Sequence, residues 1–106
     1  MEKETSLYRK KLEHYYSEDG KLTRYPSKRP MRIIALIKIA EQFEAGKQYR
    51  EKEVNGIIQN AIAFQDIELI RRELYEYKFL GRQRDGSSYW LEENWREIYS
   101  GYMEVE

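Results

Sequence analysis

The chain has 106 residues, 41% hydrophobic and 36% charged, a balance that fits one small globular domain and excludes a multidomain enzyme. It contains no cysteine, which removes disulfides, thiolate-ligated zinc, iron–sulfur clusters and thiol catalysis together. Nineteen basic and nineteen acidic residues cancel, so any partner must be argued from where charge sits rather than from its sum.

Charge is segregated along the chain. Residues 21–38 hold six bases (Lys21, Arg24, Lys28, Arg29, Arg32, Lys38) and no acid, whereas residues 92–106 hold five glutamates against Arg96. No stretch approaches the roughly 18 apolar residues of a membrane span. The first twenty residues are charged throughout, so neither a membrane segment nor a signal peptide is expected and the reading is cytoplasmic.

In chain order, Leu7, Tyr8, Leu12, Tyr15 and Tyr16 fall at helical spacing within 5–17, and Ser17-Glu18-Asp19-Gly20 signals a turn. Ser27 is placed to cap a second helix with Pro30 in its first turn. That helix carries Ile33, Leu36, Ile37, Ala40 and Phe43 on one face, widened by Ile34 and Ile39, and Gly46 is expected to stop it. Being apolar nearly all round, it is expected at the centre. After a short link through Tyr49, Val54, Ile57, Ile58 and Ala61 follow the i, i+3, i+4, i+7 rule. The next helix turns Ile67, Ile70, Leu74 and Tyr77 inward and Gln65, Glu68, Arg72 and Tyr75 outward. Two short runs around Arg84-Asp85-Gly86-Ser87 form a hairpin. Trp95, Ile98, Tyr99 and Tyr102 then recur at helical spacing, in a segment able to pack back on the domain as a short helix.

The expected class is therefore mainly α with a small β-hairpin (α+β). Helix, link, helix, turn, helix and hairpin in that order are the order of a winged helix-turn-helix. Here an extra N-terminal helix (1–18) precedes the main domain (19–91), and an acidic C-terminal extension (92–106) follows it.

Asp19-Gly20-Lys21-Leu22, Pro26 with Lys28-Arg29, Tyr49-Arg50-Glu51-Lys52-Glu53-Val54-Asn55, Asp66 with Leu69, Arg71-Arg72-Glu73-Leu74, Leu80 and Gly86-Ser87-Ser88-Tyr89-Trp90 run in one order. Together they resemble the bacterial family called domain of unknown function 2087. The resemblance implies a bacterial cytoplasmic, regulator-like winged helix and no reaction. It departs at Arg50, where relatives tend to carry Thr or Ser, so the hydroxyl half of a capping box with Glu53 is missing. Ala63-Phe64-Gln65 is also more apolar than the corresponding link of relatives, so no site built on that link carries over.

Three groups are candidates for contact with double-stranded DNA. Lys28, Arg29 and Arg32 cluster at a helix N-terminus, where free N–H groups also favour phosphate. Arg72 and Tyr75 lie on the outer face of the third helix of the main domain, and Arg82 and Arg84 lie on the hairpin. Four acids against three bases over residues 65–78 weigh against that reading. Arg71, beside the inward stripe, is as well placed to bind Glu53 or Asp66. Tyr15, Tyr16, Tyr75, Tyr77, Tyr89 and Trp90 serve either base stacking or the core.

Catalysis finds no motif: His14 is the only histidine, and neither metal-ligand spacing nor a phosphate-binding glycine loop occurs, so no enzyme activity, cofactor or metal is expected. The leading expectation is a DNA-binding or transcription-regulatory domain, acting alone or as a homodimer. Its rival is a protein-interaction module of the same shape without DNA binding.

Overall fold

The computed structural model describes residues 2–103. Helix α1 (Glu2–Leu12) runs into a 3₁₀ turn (Glu13–Tyr15). Ser17 and Gly20 then reverse the chain: the Gly20 N–H donates to Ser17 O at 3.0 Å, and Gly20 adopts φ 82°, which a residue without Cβ takes at no steric cost. The returning segment is held from both sides. Thr23 N donates to Tyr15 O (2.7 Å), Leu22 N to Ala61 O (2.9 Å) and Ala63 N to Leu22 O (2.8 Å). Leu22 is thereby fully buried and ties the N-terminal helix to the centre of the domain.

Helix α2 (Arg29–Ala40) is the central element, with Met31, Ile33–Ile37, Ile39 and Ala40 all buried. Its N-cap is Lys28 rather than the expected Ser27, and no side chain caps it; Pro30 does fall in the first turn. The helix ends six residues before Gly46. Gln42 N and Phe43 N bond to the carbonyls three residues back (both 3.0 Å), which tightens the last turn, and Gly46 at φ 81° redirects the chain only later.

Strand β1 (Gln48–Tyr49) occupies what the sequence suggested was a plain link, and helix α3 (Glu51–Ala61) follows at once. Its N-cap is Arg50, whose guanidinium cannot accept a hydrogen bond, so only half of a capping box forms: Arg50 N donates to Glu53 Oε1 at 3.0 Å. Helix α4 (Ile67–Glu76) is capped by Asp66, which accepts from Leu69 N at 3.3 Å.

The helix closes in a Schellman motif. Phe79 N reaches Leu74 O (2.9 Å), Lys78 N reaches Tyr75 O (3.1 Å), and Lys78 sits at φ 71° where glycine is usual. The two residues that bracket the motif, Leu74 and Phe79, are both fully buried.

Strands β2 (Leu80–Arg82) and β3 (Tyr89–Leu91) form the expected hairpin, as part of a three-stranded antiparallel sheet of order β1-β3-β2. The register pairs Leu80 with Leu91, Gly81 with Trp90 and Arg82 with Tyr89, while Gln48 and Tyr49 face Trp90 and Tyr89 from the other side. The pleat therefore puts Tyr49, Leu80, Arg82, Tyr89 and Leu91 on one face and Gln48, Gly81 and Trp90 on the other. The first face covers the core.

The segment after the sheet packs back as expected. Helix α5 (Trp95–Ile98) and a 3₁₀ turn (Ser100–Tyr102) set Trp95 and Tyr99 against Phe79, with Tyr99 stacked on it at 4.7 Å. The Tyr99 hydroxyl donates to Tyr77 O at 2.5 Å, so the last aromatic residues brace the end of α4. Helix and a small sheet share one core, an α+β architecture.

Candidate functional site

The outer face of α4 is formed by Glu68, Arg72, Tyr75 and Glu76, all exposed, because Ile70 and Leu74 take the opposite face into the core, while Gln65, expected on that face, precedes the Asp66 cap. Beside it lies the sheet edge. Arg82 shares a sheet face with buried Leu80 and so points toward α4, where its guanidinium covers the Tyr75 ring at 4.5 Å. Hydrogen bonding to the Tyr89 hydroxyl, and then to that of Tyr75, raises the Arg82 pKa further above its ordinary value.

Between helix and sheet a cavity of about 220 Å³ is lined by Arg71, Arg72, Tyr75, Arg82 and Tyr89, with Glu68 and Glu76 at its acidic margin. Three of the candidates chosen from sequence, Arg72, Tyr75 and Arg82, thus meet at one groove. Tyr89 and the two glutamates belong to it as well. Sequence spacing marked Glu68 as outward but gave no means of bringing a strand residue to the helix.

Arg71 lines the same cavity but is already engaged. Its Nη1 donates to Asn55 Oδ1 at 2.5 Å and its Nε lies 3.7 Å from Glu51 Oε1, so it fastens α4 to α3. The internal tie expected of it exists, with Asn55 and Glu51 rather than Glu53 or Asp66 as partners. Glu51 also accepts from the Tyr89 hydroxyl at 3.4 Å, which joins α3, α4 and β3 through one carboxylate.

The basic block divides. Lys28 is exposed at the α2 N-cap, and Arg29 lies 5.4 Å over the Tyr77 ring at the C-terminal end of α4. Arg32 instead turns inward: its Nε donates to Pro26 O (2.7 Å), its Nη1 lies 3.8 Å from Glu73 Oε1, and its guanidinium covers Tyr25 at 5.0 Å. Glu73 also accepts from the Tyr25 hydroxyl at 3.2 Å. Burial, reinforced by that carboxylate, pushes the Tyr25 pKa far up and keeps the phenol neutral. Arg32 therefore buttresses α2 against α4, while Lys28 and Arg29 keep exposed charge.

Arg84 is exposed in the hairpin loop. There the Gly86 N–H donates to Gln83 O (2.9 Å) and Asp85 accepts from Ser87 N (2.9 Å); hydrogen bonding to the Ser87 side chain first, and then to this N–H, holds the Asp85 carboxyl below its ordinary pKa. Gly86 at φ 76° supplies the left-handed residue that such a loop needs.

Helix α4 turns 100° per residue, so Tyr77 and Tyr75 flank its last turn on opposite sides. Arg29 marks one flank and Arg82 the other, with Arg72 on the open face between them. The arrangement is a cationic band across a helix that itself carries Glu68, Glu73 and Glu76. Among the described residues no group of acidic or histidine side chains is arranged to hold a metal ion, and no helix is long and apolar enough to cross a membrane.

Fold and site define a small α+β domain with an arginine- and tyrosine-lined groove beside its fourth helix. A family model described as an uncharacterized protein conserved in bacteria (DUF2087) matches residues 21–91, and the chain belongs to that family. Comparison with curated proteins and with solved structures gives no match.

Proposed function

We propose that the chain is a winged-helix DNA-binding module of a bacterial regulator, with α3 and α4 as the helix-turn-helix and β2–β3 as the wing. The observation that carries this reading is the groove itself: Arg72 and Tyr75 on the exposed face of α4 stand beside Arg82 of the hairpin. The order α2, β1, α3, α4, β2, β3, with β1 joining the sheet next to β3, supports the same reading. In it Arg72 meets base edges or phosphate in the major groove, Arg82 and Arg84 follow the backbone at the wing, and Lys28 and Arg29 neutralise phosphates on the far flank. Arg32 acts indirectly, by holding α2 against α4.

Fluorescence anisotropy with a labelled random-sequence duplex tests this. A footprint of several phosphates loses roughly a hundredfold in affinity between about 50 and about 200 mM salt. Removing one phosphate contact, as in Arg72→Ala or Arg82→Ala, lowers the slope of log affinity against log salt by about one. Absence of binding at the lower salt with high micromolar protein refutes the reading.

A second reading has its own support. Glu68 and Glu76 line the same groove, and Arg32 and Arg71 spend their charge on internal partners. A mixed-sign surface of this kind suits a protein partner better than a polyanion. Failure of the DNA experiment, together with a partner whose capture is lost in Tyr75→Ala, selects the protein-interaction module.

A further inference from the structure

On another side of the domain, α1, the C-terminal half of α2 and α3 enclose an open cleft of about 920 Å³. Its size falls in the range of small-molecule sites. Its apolar wall comes from Ile37 and Ile39 of α2, Ile57 and Ala61 of α3, and Met103. Its polar groups are unequally engaged. Glu41 lies 3.9 Å from Arg96, and Arg9 donates through Nη2 to Tyr102 O. Lys38 is exposed, its ammonium 4.8 Å over the Tyr16 ring, with no carboxylate partner among the described residues. The Tyr16 hydroxyl is sealed from water and has no hydrogen-bond partner among the described residues, and burial pushes its pKa up to about 12, so it stays a proton donor at neutral pH.

A buried hydroxyl without a partner is destabilising until an acceptor reaches it, and the exposed Lys38 ammonium lies over the ring that carries this one. Lys38, with no carboxylate partner among the described residues, offers the cleft a single positive charge for an acid to meet. We infer that this cleft binds a small organic monocarboxylate with an apolar body. Its acid group is held by Lys38 and Tyr16, and its body lies along Ile57, Ala61 and Met103. The flexible stem of Lys38 moves aside to admit the acid to the hydroxyl. The site is independent of the groove at α4, and neither reading depends on the other.

The test is an amide-resolved NMR titration of the full chain with 4-phenylbutyrate, and with 4-phenylbutylamine as the probe of opposite charge and equal body. Expected are shift changes centred on Lys38, Ile57, Asn60 and Ala61, and affinity for the acid about fivefold above that for the amine, the value of one partly exposed ion pair. Lys38→Met, which keeps the apolar stem, weakens the acid and cuts its advantage over the amine to the part that the Tyr16 hydroxyl supplies. Tyr16→Phe weakens the acid about threefold or more without changing the amine. The unliganded amide spectrum of each variant reports whether the fold is intact. Equal affinity of native protein for acid and amine, shift changes confined to other surfaces, unchanged acid affinity in either well-folded variant, or no shift up to about 10 mM probe each overturns the proposal.

Discussion

Replacing Gly81 by alanine puts a methyl group where the Trp90 indole lies. The added Cβ would stand 2.4 Å from Trp90 Nε1 and 2.6 Å from both Trp90 Cε2 and Glu92 Oε1. Ordinary contact needs about 3.5 Å, so the indole must retreat by about 1 Å. That movement strains the bond from Trp90 Nε1 to Glu92 Oε1, which is 2.6 Å long, and lifts the ring off the strand it covers. Overpacking of this kind costs about 1–3 kcal/mol, and the weakened bond about 1 kcal/mol more. The smaller unfolded-state entropy of alanine returns about 0.5 kcal/mol.

The net expectation is a loss of about 2 kcal/mol, or a fall in Tm of about 10 °C for a domain of this size. Thermal unfolding followed by circular dichroism measures the loss, and tryptophan fluorescence reports the displaced ring. The cause is tested by repeating the change in a Trp90→Ala background, where it should cost almost nothing, leaving a coupling energy of about 2 kcal/mol. A Tm within about 2 °C of the native value, or an equal cost in both backgrounds, refutes the account.

Lys78→Gly should stabilise the chain by about 0.5–1 kcal/mol in urea unfolding, because Lys78 holds a left-handed φ of 71° at the end of α4; a less stable glycine variant contradicts this. Asp66→Ala removes the cap of α4 and should cost about 1 kcal/mol by the same assay. Stability should fall with rising pH above about 10, where the unfolded chain ionises its tyrosines while Tyr16, with its pKa near 12, stays protonated. The sign follows from a folded pKa above the unfolded one: full stability below pH 10, lost progressively up to about 12, at a slope near 1.4 kcal/mol per pH unit for this group. Tyr16→Phe should flatten that slope in urea titrations between pH 9 and 12, and an unchanged slope removes Tyr16 as its source.

How much of this was legible beforehand differs by element. The apolar spacing of Ile33 to Ala40 marked α2 as the central helix, and all of those positions except Lys38 are buried. Spacing also set the inward and outward faces of α4, and Asp85-Gly86 marked the hairpin. Strand β1 stayed hidden because two residues carry no period and Gln48–Tyr49 becomes a strand only by pairing with Trp90 and Tyr89. The end of α2 was misplaced at Gly46 because the last turn closes through i−3 bonds, which composition does not mark.

For the candidate site, local pattern determined which arginines and tyrosines are exposed on α4 and the hairpin, since exposure follows from the faces that the apolar residues take. Which of them meet was decided by tertiary structure. The sheet pleat aims Arg82 at Tyr75, the packing of α2 spends Arg32 on Glu73, and the contact of α3 with α4 spends Arg71 on Asn55 and Glu51. The cleft at Lys38 and Tyr16 belongs wholly to that second level, because its walls come from segments far apart in the chain. Periodicity is a property of neighbours along the backbone, whereas a charge is free or engaged according to what the fold brings within about 4 Å of it.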